Sequence, residues 1–256
     1  MGKILVITSG KGGVGKTTTA INLGAALNSL NEEVIIVDAN LSTPNVGLHF
    51  GAPIVPVSLN HVLLGKATPD EAIYEHESGI KIIPGSLSVK ELKKLKTINL
   101  TETAKKLKKI ADYVIFDSAA GLGEEALAAL QIADEVIIVT NPEMPAITDA
   151  LKTIKVAEDM NKEVKGIILT RVRWDKTEMP IANVKDMLER PIIGVVPEDN
   201  AVRQALSVKD AVFHTHPRSK VARAYRHIAA KIAGKPLPKR QEMWYEKLLK
   251  AFGISV

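Results

Sequence analysis

Short apolar runs recur along the chain, and most of them do not alternate with polar residues. Ile4–Thr8, Val34–Asp38, Ile80–Ile83, Val114–Asp117, Val136–Thr140, Gly166–Thr170 and Ile192–Val196 are each four or five residues long and rich in β-branched side chains. A strand with one wet face would alternate, so such runs predict strands covered on both faces. Between them lie stretches with apolar residues at helical spacing: Thr17–Leu30, Glu124–Ile132, Ile147–Met160, Ala182–Leu188 and Val221–Ile232. Thr68-Pro69-Asp70-Glu71 carries a helix-start signature, with a capping hydroxyl, a first-turn proline and a capping-box glutamate. This strand–helix alternation predicts an α/β fold, a doubly wound, mostly parallel β-sheet with helices on both faces.

The character of the chain changes near its end. Gly234-Lys235-Pro236-Leu237-Pro238 should stop the helix that runs through Ile232, and a separate segment at about 239–253 follows. The division expected is one domain over 1–233 and, over 234–256, a Pro/Gly linker with an amphipathic C-terminal helix. On a 3.6-residue period Trp244, Tyr245, Leu248, Leu249 and Phe252 share one arc, with Arg240, Glu246, Lys247 and Lys250 opposite. That pattern suggests a docking helix. Three destinations stay open: a partner protein or the opposite subunit, a membrane surface, and the chain's own body.

The 256 residues are 46% hydrophobic and 25% charged, the balance of a soluble protein with a sizeable core. Cysteine is absent, which excludes a disulfide framework, a thiolate zinc site, a Cys-ligated iron–sulfur cluster and a cysteine nucleophile. The first apolar run is too short for a signal peptide and no stretch is long enough to span a bilayer, so a cytoplasmic location is expected, with peripheral membrane attachment through the tail as the alternative. The net charge of +5 is compatible with an anionic partner without demanding one. Lys90, Lys93, Lys94, Lys96, Lys105, Lys106, Lys108 and Lys109 cluster without an interleaved aromatic. They read as the solvated face of a helix pair in preference to a nucleic-acid track. His214 and His216, with no third ligand nearby in sequence, read as structural.

Candidate chemistry follows the first strand. Gly10-Lys11-Gly12-Gly13-Val14-Gly15-Lys16-Thr17 is a full match to G-x-x-x-x-G-K-[ST], with a strand before it and a helix after it. Glycines let backbone N–H groups converge on phosphate oxygens, and the helix that continues through Thr18 points its positive end at the same place. Lys16 is then placed to reach the β- and γ-phosphates, and the Thr17 hydroxyl to take a Mg²⁺ position.

With Lys11 inside the loop, the string KGGVGKTT resembles the deviant P-loop of the Mrp/MinD/ParA ATPases. Val34–Asp38 with Ala39-Asn40-Leu41 looks like the switch I of that family, and Val114–Asp117 with Ser118-Ala119-Ala120-Gly121 like its switch II. Val196-Pro197-Glu198-Asp199 resembles its adenine-side loop, and Thr170-Arg171 stands where many members carry Asn-Arg. The resemblance spans about residues 2–233. It implies ATP and ADP as nucleotides, Mg²⁺ as cofactor and a homodimer on ATP binding; the guanine-reading N-K-x-D loop is absent. It also implies that Lys11 reaches across the dimer to the other subunit's phosphates. Asp38 and Asp117 would hold water ligands of Mg²⁺, and Arg171, Pro197 and Glu198 would lie on the adenine side. One departure is Asn40, where the family usually has Asp; an amide positions a water but takes no proton, so slow hydrolysis is expected.

The missing cysteines remove the family's iron–sulfur carriers. The expected function is therefore an ATP-gated switch that docks a partner. One form resembles the ATPase-type HypB branch, a metallocentre-assembly factor serving nickel in hydrogenase maturation, with the metal held by a metallochaperone partner. The alternative is a MinD-like cell-division or polar positioning ATPase that binds membrane through its C-terminal helix. A third reading, an amide-forming or carboxylating ligase of the same superfamily, fits Lys11 and the tail least well.

Overall fold

Every β-branched run forms a strand in the computed structural model, which describes residues 2–95 and 98–236. The predicted aromatic tail helix and Lys96 of the lysine cluster lie outside the described residues. The first half of the chain forms β1 (Lys3–Ser9), α1 (Lys16–Asn28), β2 (Val34–Ala39), α2 (Val46–His49), α3 (Leu59–Leu63), β3 (Tyr74–Glu75), β4 (Lys81–Ile83), α4 (Val89–Leu92) and α5 (Thr101–Leu107). The second half forms β5 (Tyr113–Ala120), α6 (Glu124–Ile132), β6 (Glu135–Thr140), α7 (Met144–Asp159), β7 (Glu163–Val172), α8 (Ile181–Leu188), β8 (Ile192–Pro197), α9 (Ala201–Ser207), α10 (Val212–Thr215) and α11 (Lys220–Ala233).

The strands form one sheet in the order β3-β4-β2-β5-β1-β6-β7-β8, and all pair in parallel except the short edge strand β3. Side-chain alternation divides the core into two layers. Ile4, Val6, Val114, Phe116, Val136 and Ile138 point to the layer of α5, α6, α7 and α8. Leu5, Ile7, Ile115, Ile137 and Val139 point to the layer of α1, α10 and α11. Because both faces are covered, every residue of β2 and of β6 is buried, which is why these strands read as unbroken apolar runs. Among the described residues no helix is long and apolar enough to cross a membrane.

Several expectations need correction. The helix start at Thr68 makes its capping contacts: the backbone N–H and the hydroxyl of Thr68 both donate to Glu71 Oε2, at 2.7 and 3.0 Å. Yet only a single 3₁₀ turn, Asp70–Ala72, follows. Ala72 is its one buried residue, so the segment has no apolar stripe to sustain a helix before the chain pairs as β3. Helix α7 begins at Met144, ahead of the apolar periodicity, because Pro145 occupies its first turn. The short helices α2 to α5, α9 and α10 were absent from the periodicity. Gly234 does end α11, in the left-handed conformation at φ 63°.

Helices α4 and α5 and the turns that follow them carry the lysines, with Lys90, Lys93, Lys94, Lys105, Lys106 and Lys109 exposed and Lys108 paired with Asp134 at 2.7 Å. Winding reverses at β1: the chain moves toward β2 after α1 but reaches β6 on the other side after β5. The crevice outside the carboxyl ends of these strands is where an open α/β sheet can hold a ligand.

Candidate functional site

The loop between β1 and α1 lies in that crevice. Gly13 and Gly15 are left-handed, at φ 78° and 95°, which favours glycine at both positions. Gly10 is required for another reason: a Cβ there would come within 2.3 Å of the Asp149 carbonyl oxygen on α7. The loop is also held from behind. Thr170, buried at the end of β7, donates its hydroxyl toward the carbonyls of Val14 and Thr140. The position that resembles an adenine-side residue in sequence thus braces the phosphate loop.

Lys16 is 92% hidden from solvent, at 8% exposure, and its Nζ donates to Ser9 Oγ at 3.0 Å. Ser9 Oγ in turn donates to the Lys11 carbonyl at 2.7 Å. Burial pulls the Lys16 ammonium below the usual lysine range, and nearby Asp117 partly opposes that. Lys11 has a different setting: it is half-exposed at the rim, with Nζ 3.4 Å from Glu143 Oε2.

Asp38 and Asp117 face each other in the β2–β5 register, both buried. Asp117 Oδ2 accepts the Thr17 hydroxyl at 2.6 Å, whereas its Oδ1 is buried without a partner. Burial pushes the Asp117 carboxyl up to about 6, against the pull of Thr17 and Lys16. Asp38 is raised well above the usual carboxylate range by burial and by Asp117. Its Oδ2 accepts the N–H groups of Asn45 and Val46 at 2.8 and 2.9 Å, and its Oδ1 that of Asn40 at 3.3 Å. Asp38 thereby pegs the 40–46 loop in place. Within that loop Asn40 and Thr43 are paired: Asn40 Nδ2 donates to the Thr43 carbonyl at 2.8 Å and the Thr43 hydroxyl to Asn40 Oδ1 at 3.0 Å.

Two adjoining cavities share this loop. The first, 820 Å³, is lined by Gly12, Gly13, Gly15, Lys16, Thr17, Thr18 and Asn40, and faces Ala119 and Ala120 at the end of β5 and Gly123 beyond it. The second, 500 Å³, is lined by Pro197, Glu198, Val196, Thr170 and Tyr225. Gly15, Thr18 and Arg171 border both. Arg171 is left-handed at φ 54°, and Arg173 Nε anchors Glu198 Oε2 at 2.7 Å. The geometry therefore brings the sequence-predicted loop, Arg171, Pro197 and Glu198 to one continuous space. Asp38 and Asp117 lie beneath its floor, while Lys11 stands outside it. Ser9, Ser42, Thr43, Glu125 and Glu143 belong to the same constellation and had no local motif to announce them. His214, by contrast, is a packing residue, its Nδ1 3.0 Å from Asp210 Oδ1.

Chemically, the cradle suits a polyanion with a cation beside it. N–H groups of a glycine loop, a helix N-terminus and Lys16 converge there. The orphaned Asp117 oxygen next to the Thr17 hydroxyl fits the oxygen donor set of a hard divalent cation.

Known proteins resemble this chain over most of its length. A family profile, AAA_31, described as an AAA domain, matches residues 2–168. The chain is 38% identical over 250 residues to an ATP-binding protein of Methanocaldococcus jannaschii, covering 96% of this chain and 95% of that one. It is 32% identical over 248 residues to the septum site-determining protein MinD of Thermotoga maritima, covering 93% and 90%. Among solved structures, MinD of Pyrococcus horikoshii OT3, complexed with Mg-ADP, matches with a TM-score of 0.86 at 33% identity, over 91% of this chain and 96% of that one.

The raised Asp117 carboxyl has a measurable consequence. Its folded form binds a proton more tightly than the unfolded chain does, so stability of the nucleotide-free protein falls as pH rises between about 4 and about 6, then levels. Asp117→Asn keeps an oxygen for Thr17 and removes that charge. In chemical denaturation at pH 7.5 it should be more stable than wild type by about 1–3 kcal/mol, with the difference vanishing near pH 4. A variant that keeps the wild-type pH slope would assign the burden to another group.

Proposed function

The chain belongs to the AAA_31 family of P-loop ATPase domains, together with the MinD proteins, and from that premise we propose that it is a Mg²⁺-dependent ATPase working as a nucleotide-gated dimeric switch. The observation that carries the reading is the continuity of the phosphate cradle with the cavity at Arg171, Pro197 and Glu198. A nucleotide would lay its phosphates on the loop and its nucleoside in the second cavity. ATP is favoured over GTP by the lack of an N-K-x-D loop.

In this reading Lys16 holds the β- and γ-phosphate oxygens, and the backbone N–H groups from Gly12 to Thr18 hold the rest. Thr17 would contact Mg²⁺ directly, with Asp117, and Asp38 behind it, acting through its water ligands. The cation, when bound, neutralises phosphate charge. Asn40 orients a water by its amide without accepting the proton, so turnover is slow and each nucleotide state is long-lived. Lys11, in the deviant position of the loop, acts in trans on the partner subunit's nucleotide.

For the cellular role, the relatives favour positioning over metallocentre assembly: one of them is named for septum-site determination, and none of those described above supports a HypB-like role with a metallochaperone. The tail helix expected at about 239–253 would then serve as the peripheral membrane or partner anchor. It follows Lys235, which is fixed to Glu32 and the Leu30 carbonyl beyond the carboxyl end of α1, far from the nucleotide. Two tails on one ATP dimer bind a surface far more tightly than one, which is how nucleotide would gate attachment.

Lys16→Ala should abolish nucleotide binding in titration calorimetry, whereas Lys11→Ala should bind ATP and remain a monomer in light scattering; a Lys11→Ala protein that dimerises with ATP contradicts the trans role. Restoring the carboxylate with Asn40→Asp should raise turnover about tenfold or more. An unchanged rate would remove the amide as the cause of slow hydrolysis. Finally, full-length protein should sediment with anionic vesicles only with ATP, and protein truncated after Gly234 should stay in solution. Equal behaviour of the two forms sinks the membrane reading.

A further inference from the structure

Two walls of the phosphate cavity are joined by a contact that no motif announces. The 40–46 loop forms one wall and the start of α6, directly after the Asp117 strand, forms another. Across the gap Ser42 donates twice to one carboxylate: its backbone N–H to Glu125 Oε2 at 3.2 Å, and its hydroxyl to Glu125 Oε1. Both residues line the cavity. Two donors on one carboxylate define its orientation as well as its distance, and hydrogen bonds to an ionised acceptor are the stronger kind.

The clasp completes a set. Asp38 holds both ends of the 40–46 loop from below, through Asn40 at one end and Asn45 and Val46 at the other. Thr43 holds the Asn40 amide. In the middle of the loop Leu41 and Pro44 are buried, and Glu125 adds a polar anchor from another element. Glu125 also links this loop, at Ser42, two residues from Asn40 in the chain, to the other side of the cavity.

We propose that Glu125 is a positioning residue for phosphoryl transfer: by clasping Ser42 it fixes the 40–46 loop, and with it Asn40, against the phosphate cavity, and it makes that loop move together with the helix after Asp117. The proposal rests on the ATPase reading above for its catalytic part, and on geometry alone for the clasp. Glu125 touches no nucleotide in this account. Its removal should therefore spare affinity and impair turnover, because misplacing a water-orienting group is felt in the transition state.

The test has two arms on the full-length chain. In nucleotide-free protein, hydrogen exchange over residues 40–46 should be faster in Glu125→Ala than in wild type, and unchanged in α11; equal exchange over 40–46 overturns the clasp. In steady-state assays Glu125→Ala should lose about tenfold or more in kcat while the Kd for ADP stays within about twofold. Glu125→Gln, which keeps a carbonyl oxygen for the Ser42 hydroxyl, should recover part of the loss. Ser42→Ala keeps its backbone N–H and should lose less than Glu125→Ala, and the double variant should be no worse than Glu125→Ala. A parallel loss of affinity and turnover, no recovery in Glu125→Gln, or additive effects in the double variant overturn the positioning role. Wild-type protein without ATP turnover would instead overturn the ATPase reading, and the exchange arm would still decide the clasp.

Discussion

Asp38 and Asp117 sit directly opposite one another on adjacent parallel strands, about 5 Å apart by strand spacing, and both are out of solvent. Burial opposes the charge of both, repulsion from Asp117 adds to it at Asp38, and the surroundings are arranged around that difficulty. Asp38 gathers backbone N–H groups from Asn40, Asn45 and Val46, which lets a four-residue helix, α2, start where its own propensity would not. Asp117 takes the Thr17 hydroxyl and has Lys16 nearby, which ties β5 to the first turn of α1. The polar residues that compensate the carboxylates are therefore the ones that shape the cavity. A divalent cation placed beside them would reverse the local electrostatics and turn this costly pair of carboxylates into a binding site.

The phosphate loop depends on the same economy of contacts from the other strands. It must pass close to α7 at Gly10 and turn through left-handed positions at Gly13 and Gly15. It leaves its donors facing the crevice, so little of the loop is free to hold itself in place. Thr170 supplies the brace from β7, and Ser9 links the loop's beginning to Lys16. Each brace comes from a strand end, and strand ends are placed by the parallel sheet. The sheet is thus the part of the fold that function cannot do without, while the helices of the outer layers secure it by covering both faces.

That division explains what could be read in the sequence. Strands buried on both faces leave unbroken β-branched runs, and all seven such runs form strands, with only the two-residue β3 escaping. The phosphate loop was legible because it is contiguous, and Arg171, Pro197 and Glu198 were placed by resemblance before the second cavity gathered them. The helices α2 to α4 were not legible, since four or five residues cannot display a helical period, and tertiary anchors hold them instead. Thr68 and Glu71 misled for the converse reason: the cap is real, and the apolar face it should introduce is missing. The pairs Ser42–Glu125 and Thr170–Val14 are separated by 83 and 156 residues, and nothing local in the chain can signal a contact of that kind.

The two lysines of the loop show how one short motif carries two different roles. Lys16 is buried, its ammonium is weakened by desolvation, and its neighbours Ser9 and Asp117 keep it aimed into the cavity. Moving it would leave a buried charge without its partners. Lys11, in the same loop, sits in another medium: its side chain is 42% exposed and pairs with a Glu143 that is 45% exposed. An exposed pair of this kind contributes about 0–1 kcal/mol, so releasing Lys11 toward another anion is nearly free. In the proposed switch the fixed lysine would hold the phosphates of its own chain, and the loosely held one, five positions earlier in the same loop, would serve a second copy. The difference in burial, more than the identity of the residues, is what makes a nucleotide-gated dimer physically reasonable for this chain.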